Sequence, residues 1–143
     1  MKPYEIIEHT ADIGLKAFGK TLEELFHNAA IGMFDIIGGE EKDPPRDLDF
    51  KKDIKIEKDI DTYEELLVVF LSELLYIANK QKVIFRSFDI LELDDNGIIS
   101  NAKGKKLASL EDAFKVEIKA VTFHDLKIEK EKDIYYSTII FDV

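Results

Sequence analysis

At 143 residues the chain is long enough for one domain with a sizeable core. Thirty Asp and Glu against 20 Lys and Arg give a formal net charge of -10, which argues against a protein whose main task is gripping a nucleic-acid backbone. The absence of cysteine excludes a disulfide frame, a thiolate metal site and a cysteine nucleophile.

The first residues, Tyr4 to Ile7, read as the start of a strand, and Gly14 to Phe18 as the start of another. Between them "EHTADIG" (Glu8 to Gly14) places three polar side chains, His9, Thr10 and Asp12, in a short connection. A helix follows over "TLEELFHNAAIGMFDII". Thr21 and Glu24 form a capping box, Leu22, Leu25, Phe26, Ala29, Ala30, Met33, Phe34 and Ile37 make one apolar stripe, and Gly38-Gly39 supply the stop. The loop "GGEEKDPPRDLD" reads as a connector, since too little precedes it to fold alone. "KKDIKIEK" alternates as a half-buried strand. A second helix begins at the capping box Thr62/Glu65 and carries a stripe from Leu66 to Ala78.

"KVIFRSFDILEL" is β-prone, and Asn96-Gly97 after it predicts a two-residue hairpin in which both residues take positive φ. "GIISNAKGKKLA" is then expected to return antiparallel. The "KGKK" group within it, Lys103 to Lys106, reads as a solvated loop, with the other basic residues scattered. "FKVEIKAVTFHDLKIEK" predicts a long strand or a bent pair, and "DIYYSTIIFDV" a last strand. Strands gathered after the helices favour α+β over a doubly wound sheet: two amphipathic helices packed on a largely antiparallel or mixed sheet, with residues 1–143 as one domain. The apolar runs are too short to span a bilayer and no signal peptide opens the chain, so a cytoplasmic location is expected.

The chemistry on offer is sparse. No GxGxxG, Walker A or His-Glu-x-x-His pattern is present, and no serine lies in a nucleophile elbow. The histidines are His9, His27 and His124, with His27 expected at a helix edge. His9, His124 and Asp12 could hold zinc if they met; a strand-end His124 beside Asp125 reads equally as a structural residue. A second constellation is Asp12, Asp142 and the Val143 α-carboxylate. If the first or second strand lies beside the last, three negative groups converge. Each pair at about 4 Å repels by roughly 4 kcal/mol at an effective dielectric of about 20. A bound cation, protonation or full solvation must relieve that, and oxygen-only ligands point to Ca²⁺ or Mg²⁺. The alternative is an Asp12 that merely turns the chain in an Asx-type turn.

These blocks carry a resemblance. "EHTADIG" at 8–14, "GKTLEELFHNAAIGMFDII" at 19–37, "EELLVVFLSELLYI" at 64–77, "EIKAVTFHDLKIE" at 117–129 and "IIFDV" at 139–143 together resemble the archease family. Its members are small proteins that assist the GTP-dependent RNA ligase of tRNA splicing. The resemblance implies two helices against β-sheet, containing the module called SHS2. It implies a metal site, calcium in archeases, whose ligands fall on Asp12, Asp142 and Val143. His9, Thr10, His124 and Asp125 are possible neighbours of that site. It implies a non-catalytic partner of the ligase that promotes guanylylation and multiple turnover and broadens nucleotide use, with no membrane and no direct nucleic-acid contact. The chain departs from the family in "KKLASLEDAFKV", where an acidic residue and an Arg/Lys-His pair are usual, so contact with a partner there is expected to differ. Two rival expectations stand beside this one: a metal-dependent hydrolase using His9, Asp12, His124 and Asp125, and a general chaperone or adaptor with an exposed apolar face.

Overall fold

A computed structural model describes residues 2–8, 11–40, 47–57, 60–107 and 114–143. Two antiparallel sheets and two helices make up the fold. β1 (Tyr4–Glu8) pairs with β2 (Asp12–Gly19), Tyr4 opposite Ala17. β2 pairs on its other side with the last strand, β8 (Ile134–Asp142), from Asp12 opposite Asp142 to Gly19 opposite Tyr135. β6 (Ala120–Thr122) and β7 (Glu129–Glu131) line the far side of β8. The second sheet has the order β3-β5-β4, from β3 (Phe50–Glu57), β4 (Val83–Asp94) and β5 (Gly97–Lys106). Every ladder between described residues is antiparallel, so the expected α+β class takes the form of two antiparallel sheets.

Both threonine caps form, while neither glutamate is seen to bond back to its cap's own N–H. α1 (Leu22–Gly38) opens with the Glu24 N–H donating to Thr21 Oγ1 at 3.0 Å, while Lys20 N–H donates to Glu24 Oε1 at 3.2 Å. α2 (Tyr63–Gln81) opens with the Glu65 N–H donating to Thr62 Oγ1 at 3.1 Å. Each such cap contributes about 1 kcal/mol. Gly39, at φ 85°, ends α1 in a conformation that side chains resist. α1 buries Gly32 and Ile36 as well as its stripe, because it packs on β2 with one flank and on β4 with another. Phe34 meets Phe85 edge-to-face at 5.5 Å in the resulting core. No helix among the described residues is long and apolar enough to cross a membrane.

One buried polar knot ties these parts together. Arg86 Nη1 of β4 lies 2.8 Å from Asp35 Oδ1 of α1, and the Tyr4 hydroxyl of β1 donates to Asp35 Oδ2. The Asp35 and Arg86 side chains are only 9% and 10% exposed. Burial pushes the Asp35 carboxyl above its usual range, with Tyr4 and Arg86 pulling against it. Burial and the neighbouring carboxylate push Tyr4 up too.

Three local expectations are corrected. The β4–β5 hairpin turns at Asp95-Asn96 with Asp94 opposite Gly97, and neither Asn96 nor Gly97 has positive φ. Asp94 Oδ1 instead accepts from the Asn96 N–H at 2.9 Å, an Asx-type turn. Gly97 serves a close approach, since a Cβ there would meet Ile56 O at 2.3 Å. "KGKK" is not a loop but the end of β5, with Lys103 opposite Lys51 of β3. Of the long strand or bent pair expected after Phe114, the long strand gives way to the pair β6 and β7: Thr122 faces Ile140 and Glu129 faces Tyr136, so residues 123–128 bulge out opposite 137–139. Within the bulge Leu126 turns into the core and its N–H donates to Phe123 O at 3.0 Å.

Candidate functional site

The site grows from strand alternation. Ile13, Leu15 and Ala17 of β2 stand opposite Phe141, Ile139 and Ser137 of β8 on the face that packs on α1. Asp12 and Asp142, also directly opposite each other, therefore share the other face at the end of the ladder. Side chains so paired have Cβ atoms about 4.5–5.5 Å apart, and like charges there weaken the sheet. Two further contacts hold this end. Lys119 N–H donates to Asp142 O at 2.7 Å, with Ala120 of β6 opposite Asp142. The Val143 side chain packs against the core, so the residue after the pair is anchored.

Among the described residues, Asp12 Oδ1 is buried and has no hydrogen-bond partner. Leaving a buried acceptor unmet costs about 1–3 kcal/mol, more for a charged one. The oxygen therefore does not serve an Asx-type turn, whose carboxylate accepts a backbone N–H. Two opposed carboxylates, one with a dehydrated free oxygen, form an oxygen-only donor set suited to a hard cation rather than to zinc.

The other candidates fall elsewhere. His9 and Thr10 lie outside the described residues. His124 and Asp125, expected as possible neighbours of the site, sit in the bulge past the end of β6 remote from Asp142. There His124 Nε2 pairs with Asp125 Oδ2 at 3.3 Å, with the two side chains 75% and 91% exposed. The reason is the ladder direction: β6 runs from Ala120 opposite Asp142 to Thr122 opposite Ile140, so each later residue moves away from the acidic pair. Among the described residues no three His, Asp and Glu side chains gather as a metal site, and the described part of the hydrolase constellation is not assembled. His27 is half-buried and meets Phe88 edge-on at 6.3 Å.

The large exposed apolar side chains lie on separate segments: Ile6 and Ile7 on β1, Tyr76 on α2, Leu91 on β4 and Phe123 in the bulge. Both helix stripes are buried. The divergent stretch 105–116 is anchored at both described ends, Leu107 N–H to Lys82 O at 2.8 Å and Lys115 N–H to Ile37 O at 2.7 Å. Residues 108–113 of it lie outside the described set. The Tyr4–Asp35–Arg86 knot escaped sequence reasoning; its signal was a charge inside each of two apolar runs, "MFDII" and "VIFRSF".

Helices capped in tandem on antiparallel sheets, with an acidic pair at a sheet end, define a small α+β protein. Its likeness to known proteins extends over nearly the whole chain. The model of the Archease protein family matches residues 4–143, and the chain belongs to that family. It is 38% identical over 149 residues to a "Protein archease" of Methanosarcina barkeri, covering 99% of this chain and 97% of that one. It is 40% identical over 136 residues to a "Protein archease" of Pyrococcus abyssi, covering 93% and 92%. The solution structure of Methanobacterium thermoautotrophicum protein 1598 superimposes with a TM-score of 0.76 at 29% identity over 100% of both chains. The crystal structure of a Thermotoga maritima archease, described as a possible chaperone, shares the fold with a TM-score of 0.62 at 23% identity, covering 96% and 94%.

Proposed function

We propose that this chain is a non-catalytic accessory protein of tRNA splicing that activates the GTP-dependent RNA ligase by promoting its guanylylation and repeated turnover and by broadening its nucleotide use. The reading takes residues 1–143 as one domain acting in the cytoplasm. The observation that carries it is the opposed pair Asp12 and Asp142, with Asp12 Oδ1 buried and without a hydrogen-bond partner among the described residues. Family membership supports an accessory, partner-binding role, and the resemblance implies the ligase as that partner.

In this reading Asp12, Asp142 and the Val143 carboxylate hold calcium or another hard divalent cation. Such an ion, when bound, neutralises the converging carboxylates and adds a local positive charge. The protein's part is positional. Asp12 and Asp142 sit on neighbouring strands whose ladder fixes their spacing before any partner arrives, so little ordering is needed on docking. Placed at the mouth of the ligase's nucleotide site, the acidic pair orients the attacking group there. By binding the guanylylation-competent conformer better than the resting one, it shifts the ligase toward that conformer.

A guanylylation assay on a cognate ligase, with and without this protein, tests the reading. Stimulation is expected with the wild-type chain and lost with Asp12→Ala and Asp142→Ala, both of which remain folded by circular dichroism. Undiminished stimulation by either variant would refute it.

A further inference from the structure

One end of the three-stranded sheet departs from the acidic character of the chain. β3 is the edge strand there, and between it and α2 runs an open groove of about 350 Å³. Three of its lining residues are lysines, Lys51, Lys52 and Lys80, and one, Glu73, is acidic. Tyr76 on its wall is 58% exposed, and the Lys80 ammonium lies 5.6 Å from that ring's centroid. The Lys106 ammonium lies 5.8 Å from the Phe50 ring, which also lines the groove. Around the edge the positive charge continues. Lys51 stands directly opposite Lys103, and Lys105 follows two positions on along the same face of β5. The lysines expected to be scattered thus gather on one end of one sheet.

Lysines on an edge strand commonly serve only to discourage strand pairing. That role does not call for a second lysine opposite the first on the central strand, where like charges weaken the ladder. Nor does it call for an exposed aromatic ring beside a lysine on the neighbouring helix. We propose that this groove binds a short stretch of single-stranded nucleic acid, one base stacking on Tyr76 and the phosphates lying along Lys80, Lys52 and Lys51 toward Lys103 and Lys105. Aromatic platforms beside a positive track are how strands are held without sequence readout. An acidic peptide fits less well. Among the described residues no arginine lines the groove to grip carboxylates in bidentate fashion, and a carboxylate offers nothing to the exposed ring. The net charge of -10 makes the binding weak and confined to this end. The proposal extends beyond the ligase reading and does not depend on it.

Fluorescence anisotropy of the full chain with labelled oligouridylate and oligothymidylate, each of about ten nucleotides, tests it. A micromolar dissociation constant is expected at low salt, and log K should fall against log salt with a slope of about -2, as for three phosphate contacts on a single strand. Tyr76→Ala should weaken binding about tenfold, Tyr76→Phe should stay within about twofold, and the triple variant K51Q/K52Q/K80Q should weaken it by more than about tenfold. Asp12→Asn should leave it unchanged. Binding of either oligomer supports the site, and a preference for the ribose form identifies RNA as the source. No binding at low salt would overturn the proposal. So would full binding by folded Tyr76→Ala and lysine variants, or equally tight binding of polyglutamate through the same lysines.

Discussion

Two aspartates in this molecule lose water at one oxygen or more, and they are treated in opposite ways. Asp35, on α1, meets the Arg86 guanidinium at one oxygen and the Tyr4 hydroxyl at the other. Asp12, on β2, has a buried Oδ1 that meets no partner among the described residues, and the residue opposite is another aspartate. Cohesion explains the first: one carboxylate joins a strand of each sheet to the helix between them. Cohesion does not explain the second, because a buried acceptor without a partner costs the fold free energy. The difference separates a carboxylate that ties elements together from one that the proposed ion would satisfy.

The strongest way to break that comparison is at Asp35. Asp35→Ala removes the carboxylate shared by Arg86 and Tyr4, and stability should fall by about 3–5 kcal/mol. Urea unfolding reads this as a lower midpoint at unchanged slope. Next in size is the response to calcium. At about 100 times its dissociation constant the ion should add about 2.7 kcal/mol to the wild type and none to Asp12→Asn; equal thermal shifts in both proteins would remove Asp12 from the ligand set. Smaller again is Asp12→Asn without divalent ions. Relieving the like-charge pair should change stability by less than about 1 kcal/mol or raise it, whereas a loss of several would make Asp12 architectural like Asp35.

The smallest effect concerns pH. Because burial raises Asp35 above its ordinary 3.8, the folded state holds that proton more tightly than the unfolded chain does. Its contribution is fully present below the unfolded value and is lost as pH rises through the folded one. The stability advantage of wild type over Asp35→Asn should therefore be smaller at pH 7 than at about pH 3.5. An advantage that grows with pH contradicts the assignment.

What was legible in the sequence follows from how far each signal reaches. The caps at Thr21 and Thr62 are chemistry among residues three apart, and both threonine bonds formed as expected. The pairing of the first or second strand with the last entered only as a condition, and the β2–β8 ladder meets it with Asp12 opposite Asp142. The Asn96-Gly97 signal found the hairpin but not its reason, because the glycine answers to Ile56 on a third strand. His124 entered as a possible neighbour of the site through the resemblance, which carries no register; β6 runs away from Asp142 before reaching it. The Arg86–Asp35 contact and the lysine-rich end were invisible because their members come from distant segments, and only the two sheets bring them together.

The ladder between β2 and β8 has a temporal consequence as well. It joins the second strand to be synthesised with the last, so Asp12 waits for nearly the whole chain to emerge before Asp142 can stand opposite it. Contacts so distant along the chain form late and slow the overall folding rate. The β4–β5 hairpin and the helices, built from neighbours, can assemble while β2 still has one open edge. The acidic pair thus comes together only when the β2–β8 ladder closes, after the locally built parts of the fold.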